Sequence, residues 1–227
     1  MTVDDATDSN DLAAAFAVLS DFLSDNSLTR QLAQVESALV EPTASDAAEV
    51  VAAYGLSSDL LTAALSVRST VGRLNDVIHA ATIALVLPQV LESAERVTSR
   101  PSLGAGNDES RPFDLETDRR VAEFKVAQWT GKDAMRKRHA FADLVHLALD
   151  ASDRRAQFYV VGDLPMRFLR GSTSKGLGVL GRSSPHTREL FSERFDPDGT
   201  MSVADFTAGP ARHIELVDLR TLVPGLR

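Results

Sequence analysis

The sequence predicts an α/β protein: a mixed central β-sheet flanked by helices, preceded by an all-helical N-terminal region. Over about the first 75 residues, apolar side chains recur at the spacing of amphipathic helices. From Phe113 onward, apolar and polar residues alternate as they do in half-buried strands. The order of strand, turn, strand, helix and strand in this second part is typical of a mixed sheet. We therefore expect two regions, 1–75 and 76–227, with the sheet in the second.

The N-terminal region is expected to contain short helices that mediate dimerisation or bind a partner protein. Glu41-Pro42-Thr43 and Gly55 interrupt the helical pattern, because proline and glycine favour turns and helix ends. The helices expected on either side of these breaks cover 11–23, 27–40 and 45–54.

A longer helix should follow and lead toward the second region. Ser57 or Ser58 is suited to cap its first turn, and the apolar pattern continues to about Ala84. Pro88 has two interpretations: it begins a further helix over 88–99, or it kinks one long helix.

The second region begins after a loop, from Arg100 to Pro112, that is rich in Gly, Pro, Ser and Asn. Ser184 is a suitable cap for a late helix. The elements expected in this region are strands over 113–116, 120–129 and 157–162, helices over 133–149 and 185–195, and an edge strand over 214–219.

Charge is distributed unevenly along the chain, whose net charge is −8. The first 110 residues carry 5 basic and 16 acidic residues, whereas residues 111–190 carry 15 basic and 10 acidic ones. A local positive field attracts phosphate backbones even on an acidic protein, so the second region is compatible with nucleic acid. The alternative is that these basic residues only solvate helix faces.

Composition also bears on the compartment. The chain has no cysteine, which excludes a disulfide framework and thiolate metal sites and fits a reducing cytoplasm. The acidic start lacks the features of a signal peptide, and the apolar run over 80–88 is too short to span a bilayer. We expect a cytoplasmic protein that has no membrane partner.

Three side chains on neighbouring strands form the candidate site. Side chains alternate between the two faces of a strand, so Glu123 and Lys125 share one face. If the strands pair as a hairpin around Thr117-Asp118-Arg119, Asp114 lies near Glu123 on that face. The alternative is a surface hairpin with an ordinary Glu–Lys arrangement.

This trio has a definite chemical use. Two close carboxylates repel each other unless a cation or a proton intervenes. Mg²⁺ prefers oxygen ligands and is commonly held by one or two carboxylates together with substrate phosphate. A neighbouring lysine orients or deprotonates a water and stabilises developing charge. The trio is therefore suited to hold a divalent cation such as Mg²⁺ beside a substrate phosphate, as in a metal-dependent phosphodiesterase site.

Arg-Pro-Phe-Asp-Leu-Glu followed by Val-Ala-Glu-Phe-Lys-Val-Ala-Gln-Trp, a helix and an apolar strand resembles the restriction-endonuclease-like PD-(D/E)XK nuclease superfamily. The resemblance covers about 50 residues, or about 85 with the preceding helix, and excludes the N-terminal helices. It implies that Asp114 and Glu123 are metal ligands and that Lys125 is the catalytic lysine. One departure is Phe113, which separates Pro112 from Asp114 where the family has a Pro-Asp pair.

The same resemblance implies further site residues. A glutamine shortly after the lysine recurs in some branches, which makes Gln128 a supporting catalytic residue. Many branches add a glutamate from a helix before the core, and both Glu92 and Glu95 suit that role as a third metal ligand. Restriction, phage defence and repair all use this architecture, and some members have lost activity.

Basic residues after the strand are candidates for binding phosphates of nucleic acid, with DNA the expected target. Trp129 is either a base-stacking residue or a packing residue at a strand end. Among the five histidines there is no zinc-ligand spacing, and His79 is interpreted as a core or edge residue of its helix. The candidate phosphate-binding residues are Lys132, Arg136, Lys137 and His139, which alternatively form a solvated helix face.

The sequence leaves three hypotheses. The first is a metal-dependent endonuclease, and the second is a catalytically inactive module of the same fold that serves in binding or assembly. The third is a helical scaffold in which the central motif is accidental.

Overall fold

The computed structural model describes residues 3–24, 28–39, 44–72, 74–99, 101–103, 112–131 and 133–226. The chain divides into two compact units, Met1–Leu74 and Asn75–Arg227. Most of the predicted loop between Arg100 and Pro112 lies outside the described residues.

The first unit is helical. A small apolar cluster joins two of its helices, with Ala15 from one and Ala63 and Val67 from another. Ser57 caps the fourth helix, and its Oγ accepts the backbone N–H of Leu60 at 3.1 Å. The helices are α1 (Val3–Ser24), α2 (Leu28–Ala38), α3 (Ala44–Ala53) and α4 (Ser58–Val71).

The second unit contains a four-stranded mixed sheet whose strand order follows the chain. The first two strands are antiparallel, and the third and fourth each run parallel to the strand before them. Its elements are α5 (Leu74–Val90), β1 (Leu115–Glu116), β2 (Arg120–Lys125), α6 (Ala134–Leu149), β3 (Arg155–Val160), α7 (Asp163–Gly171), α8 (Gly176–Val179), α9 (Pro185–Arg194), α10 (Val203–Ala208) and β4 (Glu215–Asp218).

Each face of the sheet is covered by a separate apolar cluster, so the molecule's second unit has helices on both sides. Val121 of β2 faces a cluster that includes Phe141 and Leu144 of α6. Phe124 lies on the opposite face of the sheet, in a second cluster with Ile83 of α5. Because successive residues of β2 enter different cores, the register of this strand is strongly constrained.

The predicted α/β class, the hairpin at Thr117-Asp118-Arg119, the helix after β2 and the third strand are confirmed, and the structure shows that this third strand runs parallel to β2. Ser184 caps α9 as expected, with its Oγ accepting the N–H of Thr187. The edge strand near the C-terminus is also present as β4.

Two boundary predictions are wrong. The helix expected from Ser58 to Ala84 is interrupted at Gly72, so α4 and α5 are separate elements. No helix covers 88–99 in the described residues: Pro88 lies inside α5, which ends at Val90. Pro88 thus lies within a helix, as the second of the two interpretations had it, and Glu92 and Glu95 come after the end of that helix.

By length and composition alone, one stretch among the described residues, Ser58–Val90, is long and apolar enough to cross a membrane. Core helices of folded proteins pass the same test, and Ile83 and Val86 of α5 are fully buried against the sheet. The stretch is therefore weak evidence for a membrane span.

Candidate functional site

The β1–β2 hairpin brings the predicted acids together. Leu115 is opposite Ala122 in the antiparallel register, and the same register places Asp114 opposite Glu123. Side chains directly opposite each other in such a pair lie on one face of the sheet. Asp114 is held in place because its Oδ2 accepts the backbone N–H of Phe124 at 2.9 Å.

Lys125 completes the cluster at the end of β2. Its Nζ lies 3.7 Å from Oε2 of Glu123 and 2.8 Å from Oδ2 of Asp143. The side chain of Lys125 is 31% exposed and lies at the edge of a largely buried set of acids. The three residues expected from the sequence therefore converge, as the hairpin hypothesis required.

Asp143, on α6, is a member of this cluster that the sequence did not reveal. It lies on the inner face of α6, which packs against the sheet face that carries Glu123 and Lys125. A single aspartate in an amphipathic helix carries no distinctive spacing, so only the packing of α6 on the sheet identifies its contact.

His79, on α5, is a second member found only in three dimensions. Its Nε2 lies 3.7 Å from Oδ1 of Asp114 and 3.1 Å from the carbonyl oxygen of Ser102. The sequence had suggested an ordinary core or edge histidine. Within the apolar stretch of α5, His79 contacts Asp114. The backbone N–H of Ser102 also donates a hydrogen bond to the carbonyl oxygen of Asp114.

The electrostatics of the cluster are unbalanced. Burial raises the pKa of Glu123, and the negative charges of Asp143 and Asp114 raise it further. Burial also acts to raise the pKa of Asp114, but the contact with His79 and the charge of Lys125 outweigh it and lower that pKa. The two opposed carboxyl groups therefore differ in proton affinity, which is typical of functional sites.

Lys125 is firmly protonated. Burial lowers the pKa of its ammonium group, but the charges of Asp143 and Glu123 outweigh that effect, and the pKa lies above its ordinary value. The side chain is therefore a cation in this state. A protonated lysine can stabilise negative charge or donate a proton, but it cannot accept a proton from water.

The cluster suits a divalent cation by charge. Three carboxyl groups, from Asp114, Glu123 and Asp143, surround the ammonium of Lys125, so full ionisation leaves two negative charges in excess. Burial first, and then the charges of Asp143 and Asp114, raise the pKa of Glu123. Within the described part of the chain, no three His, Asp or Glu side chains gather closely enough to ligate one ion. Asp114 and Glu123, which are opposed on one face of the sheet, are the two carboxylates that could hold an ion such as Mg²⁺, which commonly retains several waters.

Glu95, one of the two candidates for an additional metal ligand, is engaged elsewhere. Its carboxylate receives two hydrogen bonds from Arg120, at 2.5 and 2.6 Å, and one from Thr117 Oγ1 at 2.6 Å. Arg120 shares a sheet face with Ala122 and Phe124, opposite to Glu123. Glu95 therefore stabilises the far face of the sheet.

Glu92 is likewise not part of the cluster. Its two oxygens pair with Arg119 at 3.0 Å and Arg155 at 2.8 Å on the exposed surface. Both glutamates follow the end of α5, because that helix stops at Val90. The preceding helix contributes His79 to the site in their place.

Gln128 and Trp129 lie just beyond the cluster. The amide of Gln128 donates a hydrogen bond to the carbonyl oxygen of Leu226 at 3.1 Å. Gln128, Trp129 and Leu226 all line a pocket beyond the carboxyl ends of β2, β3 and β4. Trp129 packs against Phe168 with ring centroids 5.7 Å apart. Trp129 thus packs against the apolar cluster, as the packing interpretation had it, but it lies beyond the end of β2 and also lines the pocket.

The predicted phosphate-binding residues are near the start of α6. Arg136 pairs with Asp133, and Lys137 lies over the ring of Phe168, 5.6 Å from its centroid. His139 is exposed. Lys132 lies outside the described residues.

No family model, no curated protein and no solved structure matches this chain. The site therefore has to be interpreted from its own geometry.

Proposed function

We propose that this protein is a metal-dependent phosphodiesterase, an endonuclease-like hydrolase that cuts nucleic acid, with DNA the expected substrate. One observation carries the proposal. Asp114 and Glu123 are opposed on one face of the sheet, next to the ammonium of Lys125, with two negative charges in excess. A hairpin, a helix and a parallel strand in this order support a restriction-endonuclease-like core.

The acids would hold Mg²⁺ or Mn²⁺. When bound, such an ion lowers the pKa of a coordinated water and neutralises charge on the phosphoryl group. Asp114 is suited to this role because its lowered pKa keeps it ionised. Glu123 holds a proton more tightly and releases it when positive charge arrives, since binding a cation favours the ionised form.

Lys125 would stabilise the transition state. Its ammonium is directed by Asp143 and Glu123, and it is protonated. A fixed cation next to the scissile phosphate stabilises the charge that develops on the phosphoryl oxygens and can supply a proton to the leaving oxygen. His79 positions Asp114 by its contact with Oδ1.

Cleavage of plasmid and single-stranded DNA in Mg²⁺ or Mn²⁺ tests the proposal. We expect Asp114→Asn, Glu123→Gln and Lys125→Met each to reduce the rate by a factor of 100 or more, as removal of one preorganised charge costs about 2.7–4 kcal/mol in comparable sites. Glu92→Gln is the matched control: it removes a carboxylate from the same unit but outside the cluster, and it should leave cleavage unchanged.

Two outcomes would contradict the proposal. Cleavage that survives in all three variants would come from a contaminant or another site. If the pure protein does not bind Mn²⁺ and does not cut any nucleic acid, the non-catalytic alternative is favoured, in which the protein is a module that serves in binding or assembly.

A further inference from the structure

A pocket of about 240 Å³ opens beyond the carboxyl ends of the parallel strands. Its walls come from the segment after β2, the start of α7 and the C-terminal residues. Crevices at the carboxyl ends of parallel strands are the usual position of ligand sites in α/β sheets.

The pocket adjoins the acid cluster. Lys125 is paired with Val160 in register, and Val160 with Asp218. Two of the residues that line the pocket come shortly after these paired positions along the chain: Val161 is next after Val160, and Trp129 is four residues after Lys125. Val161 is displaced from Lys125 by one strand spacing of about 4.8 Å and one residue of about 3.3 Å, so the pocket begins within about 10 Å of the Lys125 backbone. A nucleotide next to a phosphate bound at Lys125 therefore reaches it.

The pocket offers a rigid aromatic surface. Trp129 lines it while its ring packs against Phe168 and the apolar cluster under the sheet. A ring that is already held in place loses little freedom when a base stacks on it. Gln128 and Asp163 also line the pocket and present hydrogen-bonding groups at its rim.

A guanidinium group lies beside this surface. Arg167 lines the pocket, is exposed, and has no ion-pair partner in the part of the chain that the structure describes. Arg220 also lines it, but this side chain is engaged by Asp218 at 2.6 Å and by Asp163 at 2.7 Å. Arg167 is thus the cation that remains for an anionic ligand.

We infer that this pocket receives one nucleobase of a single-stranded or locally unpaired nucleic acid, with Trp129 stacked on the base and Arg167 on the adjoining phosphate. The inference rests on the proposed nuclease function and specifies its substrate. A base inside a duplex cannot enter such a pocket unless it leaves the stack, so unpaired strands are the preferred substrate.

The chain provides its own reporter, because Trp129 is its single tryptophan. The full chain, kept in EDTA to prevent cleavage, is titrated with single-stranded oligodeoxythymidylate while tryptophan fluorescence is recorded. We expect saturable quenching, and a duplex of equal length should quench less. In parallel, anisotropy of a labelled oligodeoxythymidylate measures affinity independently of the tryptophan.

Three variants test the roles of the two residues. Trp129→Ala should weaken binding about 5- to 150-fold, the range for loss of one base-stacking contact, whereas Trp129→Phe should retain most of the affinity and the fold. Arg167→Ala, at an exposed position, should weaken binding while leaving thermal unfolding unchanged. Arg170→Ala, on the same helix but outside the pocket, is the matched control and should bind as the original protein does.

The outcomes separate this inference from the proposed function. If the protein cleaves single strands in Mg²⁺ but binds them with no change in tryptophan fluorescence and with unchanged affinity in Arg167→Ala, the pocket is not the base site, although the nuclease stands. If quenching saturates and depends on Arg167 but no cleavage occurs, the base site stands and the nuclease does not. Absence of any oligonucleotide binding overturns the inference.

Discussion

Replacement of Glu95 by glutamine tests whether this residue is a metal ligand or a structural one. In the structure, Glu95 and Arg120 form a buried pair: the side chains are 0% and 2% exposed, respectively. The pair is bidentate and is supported by Thr117 Oγ1 and by Gln157, which accepts from Arg120 at 2.9 Å. Removing the charge of Glu95 leaves a buried guanidinium without its counter-ion.

Two arguments give a similar magnitude for the loss in the free energy of unfolding. Breaking a buried ion pair on one side costs about 3–5 kcal/mol. Independently, the hydrogen bonds from Arg120 outweigh burial and lower the pKa of Glu95 from 4.5 to about 2. At about 1.4 kcal/mol per pKa unit, this lowering corresponds to about 3 kcal/mol. In a unit of about 150 residues, that loss lowers Tm by about 6–12 °C.

The pH dependence has a definite sign. Because the pKa of Glu95 is lower in the folded state, its contribution to stability is complete above pH 4.5. It is lost as pH falls from about 4.5 toward about 2. The difference in stability between the original protein and Glu95→Gln should therefore be largest near neutral pH and should shrink in acid.

Urea unfolding followed by the fluorescence of Trp129 measures this difference in the unit that contains Glu95. The matched control is Glu92→Gln, because the arginine pairs of Glu92 are exposed and solvent screens them, so their loss should leave stability nearly unchanged. A Glu95→Gln variant that unfolds like the original protein but no longer binds Mn²⁺ would refute the structural role and restore Glu95 as a metal ligand.

Three further predictions concern the acid cluster. Glu123→Gln should raise Tm while abolishing cleavage: the raised pKa of Glu123 means that its ionisation costs stability as pH rises above 4.5, and calorimetry at neutral pH should record the gain. Mn²⁺ at 100 times its Kd should stabilise the protein by about 2.7 kcal/mol, and its binding should release protons. Calorimetry measures the stabilisation, and repeating the titration in buffers of different ionisation enthalpy measures the proton release. An equal response in Asp114→Asn would contradict the assignment of Asp114 as a metal ligand. Asp143→Asn should lower the pKa of Lys125, because the charge of Asp143 raises it, and should reduce cleavage about 10- to 100-fold. The lowered pKa should shift the alkaline limb of the pH–rate profile. An unchanged alkaline limb would show that Asp143 does not position the lysine.

Local patterns were sufficient for the elements around the site. The alternation in β2, the turn at Thr117-Asp118-Arg119 and the helical period of α6 are short-range signals, and all three predicted the observed structure. The convergence of Asp114, Glu123 and Lys125 follows from strand alternation plus the hairpin, so it was also accessible. The helix over 88–99 was predicted wrongly because a proline after a long apolar run suits a helix start as well as a position inside a helix.

Contacts between distant segments could not be predicted in this way. Glu95 was a candidate ligand by composition, and its actual partner, Arg120, is known only from the packing of the segment after α5 against the far face of the sheet. His79 and Asp143 had no distinctive spacing, yet α5 and α6 carry them to the cluster from opposite faces.

By itself, the sequence determined the α/β class and the three residues at the centre of the site, because hydrophobic period and strand alternation act over only a few residues. The tertiary structure alone decided which other charged groups surround those three, which glutamates are engaged in ion pairs, and where a pocket adjoins them. Those features depend on helices packing against a sheet, and such packing brings together residues whose separation along the chain leaves no local pattern.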